Sequence, residues 1–353
     1  MGSNTKIEWT DSTWNPLIGC SRVSEGCRNC YAERQAHRFQ HLDSYSYTTH
    51  TVNGHPAWTG KVNLAEKHLL DPLKWGPVRL HGPKCGKTSL GKQAACTCWG
   101  EEKYATRPRR IFVNSMSDLF HPSVPDEWID RIFAVMALCP QHIFQVLTKR
   151  PERMLAYLKQ VREERDMQRW VNAALGFENV GSVLSSAESW QWPLPNVWLG
   201  VSVENQAAAD ERIPLLLQTP AAVRFVSCEP LLGPVDLSCV PWPAGFPFAT
   251  DGPGSDGFDA LRFDDHNSLS RLANLDWVIC GGESGPRARP MHPDWARSLR
   301  DQCANARVPF FFKQWGDGWR RFNDYEATRA GFICKDHHGG ALLDGVEHKA
   351  FPG

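Results

Sequence analysis

The sequence has no long apolar run and no excess of charge of either sign. No stretch approaches the roughly 18 consecutive apolar residues that a membrane-spanning helix needs, and residues 1–14 lack the apolar core of a signal peptide. The 353 residues contain 39 Lys and Arg and 39 Asp and Glu, so the chain has no global basic field for nucleic acid, although a local basic groove is compatible with it. We therefore expect a soluble, cytoplasmic protein without membrane contact.

Cysteine and tryptophan are abundant by contrast. Twelve cysteines in a reducing compartment are expected to serve as metal ligands, catalytic groups or buried side chains rather than as disulfides. Fifteen tryptophans are expected to build the core or the walls of a pocket, because each buries a large area and keeps one polar handle.

Short apolar runs, each followed by polar residues, predict buried strands. They cover residues 110–118, 142–150, 197–204, 223–229, 277–283 and 309–315, and Leu17-Ile18 predicts a further strand at the front of the series. Apolar residues at helical spacing predict helices over 125–138, 151–165, 205–217 and 294–306. Alternating strands and helices predict an α/β fold with a parallel sheet, specifically a partial or near-complete (β/α) barrel of about seven units.

We interpret residues 1–353 as a single barrel domain with interruptions. These are an insertion at 40–103, a loop at 176–195, a loop excursion at 241–275 and a C-terminal cap at 316–353. Connections of such length are uncommon unless they cover a site or are mobile.

The most informative motif is the group Cys20, Cys27 and Cys30, spaced C-x6-C-x2-C. Three thiolates on one loop are one ligand short of a structural zinc site, but they suit an iron–sulfur cluster that keeps one iron free for another ligand. Zinc with a fourth ligand elsewhere, for instance His37, is the alternative.

A strand, a three-cysteine loop and a helix beginning near Tyr31, followed by further βα units, resemble the radical S-adenosylmethionine (SAM) superfamily. The common spacing there is C-x3-C-x2-C, and Asn29 stands where an aromatic residue is common. The resemblance implies a [4Fe–4S] cluster on the three cysteines, SAM bound to the fourth iron, and reductive cleavage of SAM to a 5′-deoxyadenosyl radical. It also implies a reductase or other electron donor as a partner.

A narrower resemblance spans nearly the whole chain. The phrases Gly-Val-Ser-Val-Glu204, Ser-Cys-Glu-Pro-Leu231 and Cys-Gly-Gly-Glu-Ser284 resemble a family found in bacteriophages and bacteria. The wider family is similar to spore photoproduct lyase, which acts on DNA, and this likeness implies a nucleotide or nucleic acid base as the substrate.

Polar residues at the predicted strand ends are candidates for holding the cofactor, since the carboxyl rim of a barrel carries its chemistry. They are Asn114, Ser115, Ser117, Asp118, Lys149, Ser202, Glu204, Glu229, Gly281, Gly282 and Glu283. Lys149 could pair with the carboxylate of SAM, and Ser202 and Glu204 could hold ribose hydroxyls. The two glycines would let the backbone approach a ligand closely.

Other cysteines extend the prediction. Cys228 and Cys280 end predicted strands and are interpreted as facing the site, where a thiol could relay a radical, with core packing as the alternative. Cys85, Cys96 and Cys98, with His81 nearby, could form a second site holding zinc or an auxiliary iron–sulfur cluster.

Two other functions fit the same residues. One is a zinc-stabilised nucleic-acid-binding protein without redox chemistry. Its phosphate contacts could come from basic residues at 107–110, 149–150, 287–289 and 320–321, and the alternative is that these residues are ordinary solvated surface charges. The other is a barrel hydrolase that uses Asp118, Glu204, Glu229 and Glu283 as metal ligands or as acid and base.

Overall fold

A seven-stranded parallel sheet lies at the centre of the molecule. The computed structural model describes residues 5–80, 88–89, 106–163, 167–178, 190–242, 257–262, 274–318 and 339–353. The strands are β1 (Ser12–Trp14), β2 (Arg109–Val113), β3 (His142–Thr148), β4 (Val197–Ser202), β5 (Val223–Cys228), β6 (Trp277–Gly281) and β7 (Phe310–Gln314). They lie side by side in chain order, and every neighbouring pair is parallel. All their carboxyl ends therefore meet at one edge of the sheet.

Helices follow most of the strands along the chain. They are α1 (Tyr31–Arg38), α2 (Asp126–Ala137), α3 (Pro151–Glu163), α4 (Gln168–Leu175), α5 (Gln206–Gln218) and α6 (Pro293–Ala306). The predicted α/β fold with a parallel sheet is confirmed. Among the helices of the described residues, each is too short or too polar to span a bilayer.

The first strand differs from its prediction. The sequence assigned this position to Leu17-Ile18, but Ser12–Trp14 pairs with β2 instead. Leu17–Ile18 turns away and forms a two-residue antiparallel pair with Asn63–Leu64. The prediction was wrong because an apolar dipeptide reports burial and not the direction of pairing.

One face of the sheet packs against the helices in the main hydrophobic core. Alternate strand residues such as Val113, Phe144, Leu199 and Val226 lie there with the apolar sides of α2 to α6, and all four are at most 2% exposed. A parallel sheet buried in this way explains why its strands read as nearly continuous apolar runs.

The opposite face curls around Trp9, which precedes β1. The indole of Trp9 lies 4.7 Å from the ring of Phe112 on β2 and 6.4 Å from that of Trp277 on β6. In a flat sheet these two strands would be about 19 Å apart, four strand spacings of ~4.8 Å, so the sheet must be strongly curved. Trp198, Phe225 and other aromatic residues complete the packing on this concave face.

Smaller elements lie around the central sheet. A β-hairpin of Thr49–Val52 and His55–Trp58 lies within the predicted insertion and packs on α1. A second small sheet pairs Val78–Leu80 with Thr88–Ser89 and Thr106–Arg107. Near the C-terminus, Leu342–Leu343 pairs with Val346–Glu347. The short helical segments are Glu25–Cys27, Asp43–Tyr45, Glu66–Leu69 and Asp71–Lys74.

Candidate functional site

The three-cysteine segment, residues 19–30, lies across the carboxyl edge of the sheet and is called the cysteine loop below. Its beginning is fixed to the end of β2, where Gly19 N donates to Met116 O (3.1 Å) and Gly19 forms a parallel bridge with Ser117. Its end leads into α1 at Tyr31, whose hydroxyl donates to Ser115 O (2.8 Å). The loop therefore begins and ends on the tip of the same strand.

Cys20, Cys27 and Cys30 are free thiols, each partly accessible. Burial, reinforced by the charge of Asp118, raises the pKa of Cys20 to about 12. Burial also raises the pKa of Cys30, and the neighbouring Cys27 adds to it. Cys30 N donates to Cys27 O (3.3 Å), so the second and third cysteines lie on one tight turn.

Asp118 and Arg150 clamp the first part of the loop. Arg150 Nη1 donates to Asp118 Oδ2 (2.8 Å) and approaches Cys20 Sγ (3.9 Å), while its Nη2 donates to the hydroxyl of Ser21 (2.9 Å). Asp118 also accepts from the hydroxyl of Thr148 (2.7 Å). The carboxylate therefore joins the ends of β2 and β3 to the loop through one guanidinium group.

His121 supports the same part of the loop as a neutral base. Its Nδ1 accepts from Ser123 N (3.1 Å), so Nε2 carries the proton and donates to Ser21 Oγ (2.8 Å). Burial, aided by the charge of Arg150, lowers the pKa of His121 from 6.5 to about 4.

Glu204, after β4, holds the middle of the loop and is only 1% exposed. Its carboxylate pairs with Lys149, accepts from Arg212 Nη1 (2.8 Å) and accepts from Ser24 Oγ (2.5 Å). Burial alone would raise the pKa of Glu204, but these cations and hydrogen bonds hold it below its ordinary value. A Cβ atom at Gly26 would collide with the Glu204 side chain, so the loop rests directly on this carboxylate.

Glu283, after β6, holds the end of the loop in the same way. It accepts from Asn29 Nδ2 (2.9 Å), from Arg289 Nη2 (2.6 Å) and from the backbone N–H of Arg289 (2.8 Å). Burial opposes ionisation of Glu283, yet these hydrogen bonds keep its pKa below the ordinary value. Arg289 also reaches the loop itself, since its Nη2 donates to Glu25 O (3.0 Å).

A further ion pair lies on the concave face at the ends of β5 and β7. Lys313 Nζ is 2.9 Å from Glu229 Oε1, with the two side chains 21% and 13% exposed. Glu229 Oε2 accepts from Trp9 Nε1 (3.1 Å) and Ser227 Oγ (3.2 Å). A Cβ at Gly281 would lie 2.8 Å from Glu229 Oε1, so the missing side chain there makes room for the carboxylate.

Tyr31 follows the cysteine loop as the first residue of α1, and its side chain is 45% exposed. Burial of the hydroxyl raises its pKa, and the charge of Cys30 adds to this shift. The hydroxyl is held by Ser115 O, so the rest of the ring is what solvent can reach.

Most of the predicted strand-end residues hold the cysteine loop and its flanks. Asn114 accepts from Leu17 N (3.3 Å), Ser115 donates to Asn15 (3.1 Å) and Ser117 donates to Leu17 O (3.0 Å). Lys149, predicted to pair with the carboxylate of SAM, pairs with Glu204. The backbone O of Ser202 accepts from Arg212 (2.7 Å), and Gly282 packs against the backbone of Trp315.

The predicted orientation of Cys228 and Cys280 was wrong. Both thiols are fully buried in the core on the helix face, not on the concave face. Burial raises the pKa of Cys228 and of Cys280, so both stay protonated. Residues of a strand alternate between faces, and Ser227 and Glu229 take the concave side instead. The predicted second site, Cys85, Cys96 and Cys98, lies outside the described residues.

Several residues of the site escaped the sequence prediction. Ser24 and Gly26 lie inside the motif but are not thiols, and Arg212 lies inside α5. Arg212 offered one signal, because a lone arginine on the apolar side of a helix must find a buried carboxylate. Lys313 offered a similar signal, because it is a lone cation directly after the three phenylalanines of β7.

The donor type of the loop is that of an iron–sulfur cluster, in which each cysteine thiolate binds a different iron. The loop supplies three partly accessible thiols. Within the described ranges, no three or more His, Cys, Asp or Glu side chains converge closely enough for one metal ion. His37, the suggested fourth zinc ligand, is hydrogen-bonded through Nδ1 to the hydroxyl of Thr49 (3.2 Å).

Comparison with known proteins gives a family without an assigned activity. A family model described as "Protein of unknown function (DUF5131)" matches residues 4–352, so the chain belongs to this family. No curated protein and no solved structure matches the chain significantly.

Proposed function

We propose that the protein is a radical SAM enzyme built on a partial (β/α) barrel. Cys20, Cys27 and Cys30 would hold a [4Fe–4S] cluster, and its fourth iron would bind SAM. When bound, these groups supply reductive cleavage of SAM and a radical that abstracts hydrogen from a substrate. The observation that carries the proposal is the placement of a three-thiol loop on the carboxyl edge of a parallel sheet whose strands run in chain order.

The ion pairs of the site hold the thiols in place. Asp118, Glu204 and Glu283 each bind the loop through a charged or polar side chain, from the ends of three different strands. A rigid loop keeps its sulfurs at fixed separations, which a preorganised ligand set requires. This arrangement argues against a hydrolase, because these carboxylates are already occupied by arginine, lysine and asparagine donors.

The accessible groups near the cysteine loop are suited to contact a substrate. Tyr31 offers an accessible ring, and the pair Glu229–Lys313 offers an acceptor and a donor. A nucleotide or nucleic acid base has both a planar face and a donor–acceptor edge, so this substrate class remains our proposal. A reductase or other electron donor, and a cytoplasmic location that keeps the thiols reduced, belong to the same proposal.

Metal analysis tests this function directly. Protein purified without oxygen should be brown and contain about four irons and four sulfides per chain from this site. Cys27→Ala should lose most of this iron and the visible absorption, whereas Cys239→Ala, at an exposed cysteine outside the loop, should keep both.

The second cysteine group must be separated in the same experiment. A triple Ala variant of Cys85, Cys96 and Cys98 removes any iron or zinc held there, so the remaining metal belongs to the cysteine loop. Stoichiometric zinc in place of iron, or full iron and SAM cleavage retained in Cys27→Ala, would overturn the proposal.

A further inference from the structure

The β-hairpin of Thr49–Val52 and His55–Trp58 lies alongside the cysteine loop and is tied to it at both ends. At the open end of the hairpin, Gly60 N donates to Cys20 O (3.2 Å). At the turn, His55 Nε2 is 3.2 Å from Arg287 Nη1, and the carbonyl of Arg287 accepts from Asn29 (3.0 Å). The hairpin thus forms a wall along the whole loop.

An aromatic ring and cations are exposed on this wall. Tyr47 is 77% exposed, and Lys61 Nζ lies 4.9 Å from the centre of its ring. The hydroxyl of Thr59 donates to Tyr47 O (2.8 Å) and accepts from Lys61 N (3.2 Å), which fixes the two residues together. We call the surface made by Arg28, Tyr47, His55, Lys61 and Arg287 the hairpin face.

The hairpin face is basic although the chain as a whole is neutral. Residues 20–61 contain five Lys and Arg and three Asp and Glu. Glu33 is buried against Arg22, and Glu25 is paired with Arg289. In the part of the chain that the structure describes, the ion pairs include none between a carboxylate and Arg28, Lys61 or Arg287. Asp43, the third acidic residue of this segment, is exposed and stands outside these ion pairs, so the face keeps an excess of positive charge beside one acidic residue.

We propose that the hairpin face binds single-stranded nucleic acid and passes one base toward the exposed ring of Tyr31, the residue after Cys30. Exposed aromatic rings on which bases stack, next to lysine and arginine that follow the phosphates, are the elements of single-strand binding surfaces. The face adjoins the cysteine loop, so a strand on it runs past the loop. This inference deepens the proposed function by naming the polymer that would carry its substrate base.

Fluorescence anisotropy with labelled 12-nucleotide single strands of DNA and RNA tests the proposal on the full chain. With three cations on the face, the slope of log K against log salt should be about −2 for a single strand. Tyr47→Ala should weaken binding about tenfold, and Tyr47→Trp should preserve it because stacking survives. Arg28→Gln with Lys61→Gln should reduce the slope to about −0.7.

Matched controls lie on the outer helices. Leu175→Ala removes an exposed apolar side chain from α4, and Lys159→Gln removes an exposed cation from α3. Neither should change binding, and thermal unfolding verifies that every variant is folded. Equal losses in face and control variants, salt-independent binding, or no binding of either strand at 50 mM salt would overturn the proposal.

The result is separable from that of the metal analysis. Protein freed of metal should still bind the strands, since none of the five residues is a proposed cluster ligand. Protein that binds the strands but contains no iron would refute the proposed enzyme and support binding by the hairpin face. Protein that contains iron but binds neither strand would support the proposed enzyme and refute binding by the hairpin face.

Discussion

Glu204→Gln should be among the most destabilising single changes in this protein. The carboxylate is 1% exposed and faces Lys149 and Arg212, and Arg212 is itself only 2% exposed. Glutamine fills nearly the same volume but leaves two buried or half-buried cations without a counter-charge. Breaking a buried pair in this way costs about 3–5 kcal/mol, so the free energy of unfolding should fall by that amount.

The matched control is Glu66→Gln, which removes a surface pair of similar geometry. Glu66 Oε1 lies 2.6 Å from Arg131 Nη1, but the two side chains are 60% and 31% exposed. Solvent screens such a pair, and its loss should cost about 0–1 kcal/mol. Urea unfolding of the three proteins, followed by circular dichroism and tryptophan fluorescence at pH 7, measures both differences.

The pH dependence provides a second readout. The pKa of Glu204 is lower in the folded protein than its ordinary 4.5, so its contribution to stability is complete above that value and is lost as the pH falls below it. The wild type should therefore lose more stability than Glu204→Gln does on acidification from pH 5. Equal costs for Glu204→Gln and Glu66→Gln at pH 7 would refute the reasoning, because burial would then have no effect on the pair.

Two further predictions concern the supports of the loop. Gly26→Ala should displace the loop from Glu204 and lower the iron content of the proposed cluster by half or more, because its Cβ would lie 2.4 Å from atoms of the Glu204 side chain; Gly76→Ala, where a Cβ meets open space, is the control, and unchanged iron in Gly26→Ala would contradict this packing. Neutral His121 should contribute about 3 kcal/mol to the free energy of unfolding. This contribution is complete above pH 6.5 and is lost as the pH falls toward about 4, because the histidine of the unfolded chain is protonated at a higher pH than that of the folded protein. His121→Gln should flatten the stability profile in this range, and an unchanged profile in urea titrations would exclude the assignment.

The strands could be predicted from the sequence because their chemistry is local. Runs such as His142–Thr148 and Val197–Ser202 are apolar on both faces, which is typical of a parallel sheet between two layers. The polar residues that directly follow each strand are local in the same sense, and they indicated that the candidate site lies at the carboxyl edge of the sheet. The predicted strands extended one to five residues beyond the observed C-terminal ends. β2, for example, ends before Asn114, which has a positive φ of 62°.

The partners at the edge could not be predicted, because they depend on how strands distant in sequence meet. Lys149 and Glu204 are 55 positions apart, and Asn29 and Glu283 are 254 apart. The sequence identified Lys149, Glu204 and Glu283 as functional candidates but assigned them to a cofactor, and it did not identify Asn29. The orientation of Cys228 could have been predicted from the sequence. Its neighbours Ser227 and Glu229 are polar and lie together on one face of the strand, so Cys228 lies on the opposite face. The polar face at the end of a buried strand is the one that faces a site.

The distribution of charge over the strand ends explains where a ligand has room. Asp118, Glu204 and Glu283 are committed to the cysteine loop from β2, β4 and β6, and their arginine and lysine partners are committed with them. Glu229 and Lys313, from β5 and β7, bind each other across Gly281 and remain partly accessible. An ion pair of this kind can open toward a bound molecule without releasing the loop, whereas Glu204 cannot move without losing the hydrogen bond from Ser24 that holds the loop. The Glu229–Lys313 pair at the ends of β5 and β7 is therefore the part of the edge that can exchange its partners, while Asp118, Glu204 and Glu283 hold the cysteine loop still.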